Sequence, residues 1–300
     1  MQKPLVSIVI PTHRPSHFRT ALLCALSQTY TNTEIIVSDN SGGEDIAALC
    51  AQYSQVQYRK NTNGKPASNI AQPLTLARGE FIKYLFDDDL IYPHCIDSMI
   101  GWLDKFDAPT RESVGLITST RHLINDNSLC YQEVRELGIT STSLMQGRKV
   151  IQRILTKQDN FIGEFSTILF RRKIVDVASP ESIFQVYGND FSVGLIDVPL
   201  YLTILQNANM VYIPYALSAF RLHSGGGSNA AANPNFHHAV SDWFRLILGA
   251  DRAGLLQPNA AVAATQNYLN LARNFEGTFS QQLAPWNEQA RSFLLKYGVA

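Results

Sequence analysis

Strand and helix signals alternate through the first third of the chain, and few folds accommodate such an order. Residues 5–10, 34–38 and 80–86 are short apolar runs rich in β-branched and aromatic side chains, as in buried strands. Between the first two runs, apolar side chains from Phe18 to Leu26 recur at the spacing of one helix face. This pattern predicts an α/β fold in which a mostly parallel sheet is flanked by helices.

The last part of the chain has a different pattern. Residues 224–235, SGGGSNAAANPN, lack any apolar periodicity and are rich in loop-forming residues. Beyond them, apolar side chains recur at helical spacing around Trp243, Tyr268 and Phe293. We therefore predict an α/β domain over residues 1–228 and a helical C-terminal appendage over residues 229–300.

The composition argues against several classes of protein. The 25 basic and 25 acidic residues balance, so no net positive charge favours nucleic acid. The apolar run at 5–10 is far shorter than the ~20 residues of a membrane span and lacks the features of a secretory signal. The 4 cysteines form no CxxC pair, which argues against a cysteine zinc site. These features predict a cytoplasmic protein.

Polar groups follow the predicted strands, and ligands of open parallel sheets bind at the carboxyl ends of strands. The groups are PTHR at 11–14, DNS at 39–41, NTNG at 61–64 and DDD at 87–89. Adjacent carboxylates such as DDD repel one another unless a cation compensates, and Mg²⁺ or Mn²⁺ needs few protein ligands when a diphosphate supplies others. The alternative is an acidic turn that caps the next helix. The position of DDD after a strand favours a metal site.

Asp39 and Asn69 each have two interpretations. Asp39 can accept a hydrogen bond from a ribose or a base, or it can form an Asx turn or a helix cap. Asn69 can bind a ligand or cap a helix. The sequence contains neither GxGxxG nor GxxxxGK[ST], so no dinucleotide fingerprint and no P-loop supports the site.

Together these segments resemble the family 2 nucleotide-sugar glycosyltransferases of the GT-A fold. VSIVIPTHRPSHFRTALLCALSQTYTNTEIIVSDNS resembles the family's first strand, helix and second strand, and NTNGKPASN and ARGEFIKYLFDDDLIYP resemble the next stretch and its DxD-type metal motif. The likeness covers residues 4–106 well and continues more weakly through ILFRR, DVPLYLTIL and YALSAFRLH. It implies a catalytic domain with a nucleotide-sugar half over 1–106 and an acceptor half over 107–228.

The resemblance implies a donor site at the ends of the first strands. Asp39 would contact the nucleotide base, and Pro11 and Thr12 would line its pocket. Arg14, which the family's opening motif keeps, and Asn69 would also bind the donor.

The resemblance assigns the acidic run as well. Asp87 would face the ribose or the phosphates, Asp88 would bind the divalent metal, and Asp89 would support them. The usual family spacing is D-x-D-D, but Phe86 stands at its first acid, and His13 replaces a common Asn in the opening motif.

Inverting sugar transfer also requires a general base that takes the acceptor's proton. The family places a carboxylate before an apolar helix late in the catalytic domain, and Asp197, ahead of VPLYLTIL, matches that position. Asp190 is the alternative and Glu164 the third candidate. The residues alone do not separate the three, and Asp197 is also a natural helix N-cap.

Arg221 and His223 lie just before the glycine-rich stretch. The family often has a histidine before a flexible loop, so we expect His223 to bind the metal and Arg221 to neutralise phosphate charge. The adjacent His237 and His238 would point apart on a helix, and we predict no role for them.

These features predict a metal-dependent inverting glycosyltransferase with Mg²⁺ or Mn²⁺ as cofactor. The donor would be a UDP- or dTDP-linked sugar, and the acceptor a hydroxyl of a glycan that is free, lipid-linked or protein-linked. The enzyme would work in the cytoplasm, including the inner face of the membrane. A nucleotidyltransferase and a non-catalytic nucleotide-sugar-binding protein are the alternatives; the first is disfavoured because the loop THRPSH has no glycine.

Overall fold

The computed structural model describes residues 3–135, 137–223 and 230–299. Over these residues the strands are β1 (Val6–Thr12), β2 (Thr33–Asp39), β3 (Val56–Lys60), β4 (Phe81–Tyr84), β5 (Leu90–Ile91), β6 (Val114–Ile124), β7 (Cys130–Val134), β8 (Ser143–Met145), β9 (Leu169–Arg171), β10 (Gln185–Val186), β11 (Asn189–Asp190) and β12 (Asn209–Arg221). The helices are α1 (Pro15–Leu26), α2 (Asp45–Cys50), α3 (Pro66–Ala71), α4 (Cys95–Leu103), α5 (Ala108–Ser113), α6 (Gly147–Lys157), α7 (Val198–Leu205), α8 (Phe236–Arg252), α9 (Pro258–Arg273) and α10 (Glu276–Lys296).

The chain forms two compact units, and each combines separate stretches of sequence. The first unit consists of Met1–Met145, Ile162–Ile183 and Ala208–Leu222. The second consists of Gln146–Phe161, Phe184–Asn207 and His223–Ala300. The second unit therefore takes in more of the chain than the helical region predicted from residue 229 onward.

One large sheet forms the centre of the first unit. Its order is β3-β2-β1-β4-β9-β6-β12-β5, with β7 paired to β6 and β8 paired to β12. The pairs β1–β2, β1–β4, β2–β3 and β6–β12 are parallel, whereas β9 runs antiparallel to both β4 and β6. Because β9 reverses direction between them, β4 and β6 point the same way. The carboxyl ends of β1, β2, β4 and β6 therefore meet at one edge, and the predicted α/β fold is confirmed.

The strand β1 lies in the middle of this sheet and is buried along its whole length. The strand continues two residues beyond the predicted run of residues 5–10, to Thr12, which pairs with Asp39. The backbone of Val9 and Pro11 faces β4, and β4 ends opposite Val9. Proline has no N–H to donate, and at this position no strand partner requires one.

The helix α1 covers one face of the sheet. Its buried side chains are Phe18, Ala21, Leu22 and Ala25, which confirms the predicted apolar face. They join the apolar core formed by the strands, to which α4 contributes Ile96 and Met99.

A lysine lies in the interior of this unit. Lys83 in β4 is fully buried, and its Nζ donates to the carbonyl oxygens of Ser166 at 2.5 Å and Ile168 at 3.1 Å. Burial lowers the pKa of Lys83. These two hydrogen bonds connect residues 166–168, which precede β9, to β4.

The second unit is largely helical, as predicted for the C-terminal region. The ring of Phe244 stacks on Tyr268 with centroids 5.2 Å apart and meets the edge of Phe293 at 6.1 Å. Gln158, at the end of α6, donates to the carbonyl of Ala264 in α9 at 2.7 Å. Among the described residues, no helix is both long and apolar enough to cross a membrane.

Candidate active site

The carboxylate of Asp39 lies at the end of β2 and is held by its neighbours in β3. Its Oδ2 accepts hydrogen bonds from Tyr58 Oη at 2.8 Å and Lys60 Nζ at 3.0 Å, and its Oδ1 accepts one from Ser41 N at 2.7 Å. Burial raises the pKa of Asp39, but these hydrogen bonds outweigh burial and hold it below its usual value. Asp39 is therefore an ionised carboxylate, and the Asx turn is present.

Sequence reasoning did not find Tyr58 or Lys60. They are two residues apart and so lie on the same face of β3. This spacing is the feature of the sequence that could have identified them together. Lys60 is opposite Asp39 in the strand register and also donates to the carbonyl of Gly43 at 2.8 Å. Asp39 is 0% exposed. A base that reached its Oδ2 would have to displace Lys60, and the contact of Asp39 with the donor stays a prediction.

Asn69 joins the ends of two strands. Its Nδ2 donates to the carbonyl of Thr12 at 2.8 Å, and its Oδ1 accepts from Ser38 Oγ at 2.8 Å. The helix α3 begins at Pro66, so Asn69 is not its cap. The side chain fixes the spacing of β1 and β2 where Pro11 and Thr12 end the strand, and its contact with a donor stays a prediction.

The acidic turn, residues 87–89, lies beside the end of β1. Asp87 Oδ2 accepts hydrogen bonds from Thr12 Oγ1 at 2.8 Å and His13 N at 3.1 Å. Burial, and then the charge of Asp88, raises the pKa of Asp87. Arg14 Nη2 lies 3.0 Å from Asp88 Oδ2. The structure thus brings the predicted residues 12–14 and 87–88 together.

Phe86, which replaces the first acid of the usual motif, packs in an aromatic cluster. Its ring stacks on Phe165 with centroids 5.5 Å apart, and Tyr84 lies 5.0 Å from the same ring. Its backbone N–H donates to Ser166 Oγ at 2.9 Å. An apolar residue suits this position because the neighbouring segment covers it with rings.

The side chains of the acidic turn differ in accessibility. The Asp88 side chain is 19% exposed, and that of Asp87 is 7% exposed. Asp89 is buried; burial, and then the charge of Asp88, raises its pKa well above the usual value. Within the described residues, no three His, Cys, Asp or Glu side chains are grouped closely enough to hold an ion by themselves. One accessible carboxylate suits a cation that takes its other ligands from a diphosphate and water.

Arg221 lies at the end of β12 and is 2% exposed. Its Nε donates to the carbonyl of Asp88 at 2.8 Å, and its Nη1 to those of Asn125 at 2.5 Å and Asp126 at 3.1 Å. Its backbone N–H donates to Asp89 Oδ1 at 3.1 Å. These contacts indicate that Arg221 fixes the acidic turn to the turn after β6. Its contact with phosphate stays a prediction.

The three candidate bases have different surroundings. Glu164, in the first unit, lies with its Oε2 2.7 Å from Nε of the buried Arg121. Asp190, in the second unit, is exposed, and its Oδ1 accepts a hydrogen bond from Ser192 N at 2.8 Å. It therefore forms a local turn.

Asp197, also in the second unit, is half-buried and is the N-cap of α7. Its Oδ1 accepts from Val198 N at 2.9 Å and its Oδ2 from Asn160 Nδ2 at 2.8 Å. These two hydrogen bonds fix the orientation of the carboxylate. His223 is a half-buried residue of the second unit, and its metal role stays a prediction. The predicted glycine-rich loop lies outside the described residues over 224–229.

Comparison with known proteins identifies the family. Residues 7–177 match the family model described as glycosyl transferase family 2, which is more than half of the chain. The chain belongs to glycosyl transferase family 2. The family match takes in β1 from Ser7 onward, the acidic turn and Glu164, whereas Asp190, Asp197, Arg221 and His223 lie beyond its end.

Individual relatives carry related names. An uncharacterized glycosyltransferase of Rickettsia felis is 34% identical over 247 residues, which cover 77% of this chain and 36% of the relative. The chain thus spans little more than a third of that relative. The Escherichia coli enzyme WfgD, named a UDP-Glc:alpha-D-GlcNAc-diphosphoundecaprenol beta-1,3-glucosyltransferase, is 26% identical over 152 residues, 49% of this chain and 57% of WfgD.

A solved structure shares the fold. Staphylococcus aureus TarS 1–349, crystallised with UDP-GlcNAc, superposes with a TM-score of 0.68 over 95% of this chain and 79% of that one, at 14% identity. The resemblance to family 2 glycosyltransferases and the fold predicted from it are therefore both confirmed.

Proposed function

We propose that this chain transfers a sugar from a uridine diphosphate sugar to a hydroxyl of a lipid-linked glycan, with inversion at the anomeric carbon. One observation carries the proposal: in a family 2 fold, the ends of β1, β2 and β4 bring Asp39, Thr12 and the acidic turn to one edge of the sheet. This is the edge at which parallel sheets bind nucleotides.

The donor half of the proposal rests on the carboxylates at this edge. Asp39 would accept a hydrogen bond from the base after Lys60 moves aside. Thr12 and the backbone of His13 orient Asp87 toward the ribose or the phosphates. TarS was crystallised with UDP-GlcNAc and with UDP, which supports uridine over thymidine as the nucleoside.

Asp88 would hold the divalent cation. Arg14 donates a hydrogen bond to Asp88 Oδ2 and so fixes one oxygen of this carboxylate. A bound Mg²⁺ or Mn²⁺ supplies Lewis acidity that stabilises the departing diphosphate. Arg221 keeps the Asp88 backbone in place through its hydrogen bond to the carbonyl oxygen.

Asp197 would act as the general base. Its carboxylate takes the proton of the acceptor hydroxyl while the acceptor oxygen bonds to the anomeric carbon. The bond from that carbon to the diphosphate breaks in the same step, which inverts the configuration. The hydrogen bonds from Asn160 and Val198 orient the carboxylate for this role.

The acceptor class is supported by the named relative. WfgD acts, by its name, on a sugar linked through diphosphate to undecaprenol. We therefore propose a lipid-linked diphosphate glycan as the acceptor, which would bring the enzyme to a membrane surface during turnover.

A thermal-shift panel tests the donor site. UDP, UDP-glucose, UDP-GlcNAc, dTDP-glucose and GDP-mannose are each added with Mn²⁺ or with EDTA. A ligand at 100 times its Kd stabilises the folded state by about 2.7 kcal/mol, so the melting temperature rises. We expect the uridine ligands with Mn²⁺ to give the largest rise. Equal shifts in EDTA would reject the cation, and no uridine shift would reject the donor. Transfer from the best donor to GlcNAc-diphosphoundecaprenol then tests the acceptor.

A further inference from the structure

Three residues on one face of α8 contact the segment that leads to Asp197. Asp242, Arg245 and Gly249 are three and four residues apart, so they lie on the same side of the helix. Gly249 lies against Tyr187, Arg245 contacts Asp190 and Phe191, and Asp242 contacts Leu195. The segment from Tyr187 to Leu195 therefore runs along α8, antiparallel to it.

Arg245 joins the middle of this segment to Asp242. Its Nη2 donates to the carbonyl of Asp190 at 2.8 Å, and its guanidinium carbon lies 4.5 Å from the centre of the Phe191 ring. Its Nη1 donates to Asp242 Oδ1 at 2.6 Å. The planar guanidinium thus fixes both the backbone and a ring of the segment.

Asp242 holds the end of the segment nearest to Asp197. It is 0% exposed, and its Oδ2 accepts a hydrogen bond from Leu195 N at 3.2 Å. Burying a carboxylate carries a desolvation penalty unless its partners are well placed. An apolar side chain of similar size would avoid this penalty. The carboxylate instead binds the backbone amide of Leu195, two residues before Asp197, and so fixes the position of that amide.

Gly194 makes this approach possible. Its φ of +108° is disfavoured for other residues, and an added Cβ would collide with Asp242 Oδ2 and lie 2.9 Å from Ala239 N. The glycine lets the backbone lie directly against α8. In the same way, a Cβ on Gly249 would lie 2.5 Å from that of Tyr187.

We infer that α8 sets the position of the proposed base: Asp242 and Arg245 are positioning residues that hold the segment before Asp197 and so aim its carboxylate. The inference rests on the proposed function for the role of Asp197. It gives α8 a part in the reaction, although no residue of this helix needs to touch the substrate.

Hydrogen exchange measured by mass spectrometry tests whether α8 holds the segment. In Asp242→Ala, we expect amide exchange over residues 190–198 to quicken at least tenfold, since Leu195 N loses its acceptor. Asp251→Ala is the matched control, because Asp251 lies on the same helix but binds Tyr297 Oη at 2.6 Å. Its segment 190–198 should exchange as in the wild type. Unchanged exchange in Asp242→Ala, or equal changes in both variants, would overturn the inference.

A double-mutant cycle tests whether the effect reaches Asp197. With UDP-glucose and GlcNAc-diphosphoundecaprenol, or the pair that the panel selects, we expect Asp242→Ala to lower kcat roughly ten- to a hundredfold. The Kd for UDP should stay within about twofold. In an Asp197→Asn background, the same substitution should change the residual rate less than threefold, because the base is already lost.

Two further results separate the possible failures. If Asp242→Ala lowers kcat by the same factor in the wild-type and Asp197→Asn backgrounds, the effect is a general structural one. That result would reject the role of α8 but would leave Asp197 as the proposed base. Wild-type turnover by Asp197→Asn would reject the base itself, and with it this role of α8. If Asp242→Ala does not fold, Asp242→Asn keeps one acceptor oxygen for Leu195 and should show the same coupling with a smaller loss.

Discussion

Thr12 Oγ1 donates a 2.8 Å hydrogen bond to Oδ2 of Asp87, 75 residues further along the chain. The same oxygen accepts a hydrogen bond from His13 N, and Arg14 forms an ion pair with the carboxylate of the next residue, Asp88. Thr12, the last residue of β1, and the two residues after it thus bind consecutive residues of the acidic turn. The end of one central strand fixes the geometry at which a diphosphate and its cation would be bound.

Asp88→Ala should abolish transfer while the protein stays folded. Loss of a cation ligand removes several kcal/mol of charge stabilisation, so kcat should fall at least about a hundredfold. The Mn²⁺-dependent part of the UDP thermal shift should disappear as well. Asp126→Ala is the control, since its side chain is 65% exposed. Wild-type turnover by Asp88→Ala would reject the assignment.

Asp197→Asn should keep donor binding and lose transfer. A positioned general base contributes about 10²- to 10⁴-fold, and an amide cannot take the acceptor's proton. The measurement is kcat together with the Kd for UDP. Asp190→Asn is the comparison, and we expect it to retain most activity because Asp190 forms an exposed local turn. The reverse outcome would make Asp190 the base.

Arg221→Lys should weaken cation-dependent nucleotide binding. A lysine cannot reproduce the guanidinium contacts to Asp88, Asn125 and Asp126. We expect the affinity for UDP with Mn²⁺ to fall about tenfold, whereas affinity in EDTA changes little. Calorimetry under both conditions measures this. An equal loss in EDTA would indicate that Arg221 binds the nucleotide directly.

Lys83→Ala should strongly destabilise the protein. The substitution leaves a cavity and removes the donor for the carbonyls of Ser166 and Ile168. We expect the free energy of unfolding to fall by about 3 kcal/mol, measured by urea denaturation. Lys83→Met fills the space without donating hydrogen bonds and should lose less. Equal stability of the wild type and Lys83→Ala would contradict this account.

Asp242 should make stability depend on pH. Burial, only partly offset by Leu195 and Arg245, raises its pKa from 3.8 to about 6, and Asp190 adds to the rise. The folded state therefore binds the proton more tightly than the unfolded state, so this contribution is complete below about pH 4 and is lost as pH rises through 6.

The lost contribution is on the order of 3 kcal/mol, at about 1.4 kcal/mol per pKa unit. Urea denaturation of Asp242→Asn, compared with the wild type at each pH, should show the difference in stability changing between pH 4 and 6. A constant difference over this range would show that Asp242 does not titrate there.

Local pattern was sufficient to predict much of the fold. The apolar period of α1 matches the side chains that the structure buries, and Asp197 caps α7 through Val198 N as its place before an apolar run indicated. Strand β12 was harder to predict. It runs from Asn209 to Arg221, and register shifts near Ile213 and Ala216 interrupt the alternation of its side chains.

The sequence predicted that the candidate residues follow the strands, but it did not predict their contacts. The acidic turn follows β4, as expected, yet the partners of Asp39 come from β3 and depend on strand register. The burial of Arg221 depends on the pairing of β12 with β6, which no local pattern shows. Long-range pairing therefore determines which polar residues bind one another at this edge of the sheet.

The second unit draws on stretches that precede the C-terminal helices by many residues. Helix α6 buries Val150 and Ile154, and Asn267 of α9 donates to the carbonyl of Thr156 at 2.7 Å. A protein shortened to residue 228 would keep α6 but lose α9, which packs against it. A fragment that keeps the fold of the second unit must therefore retain the C-terminal helices.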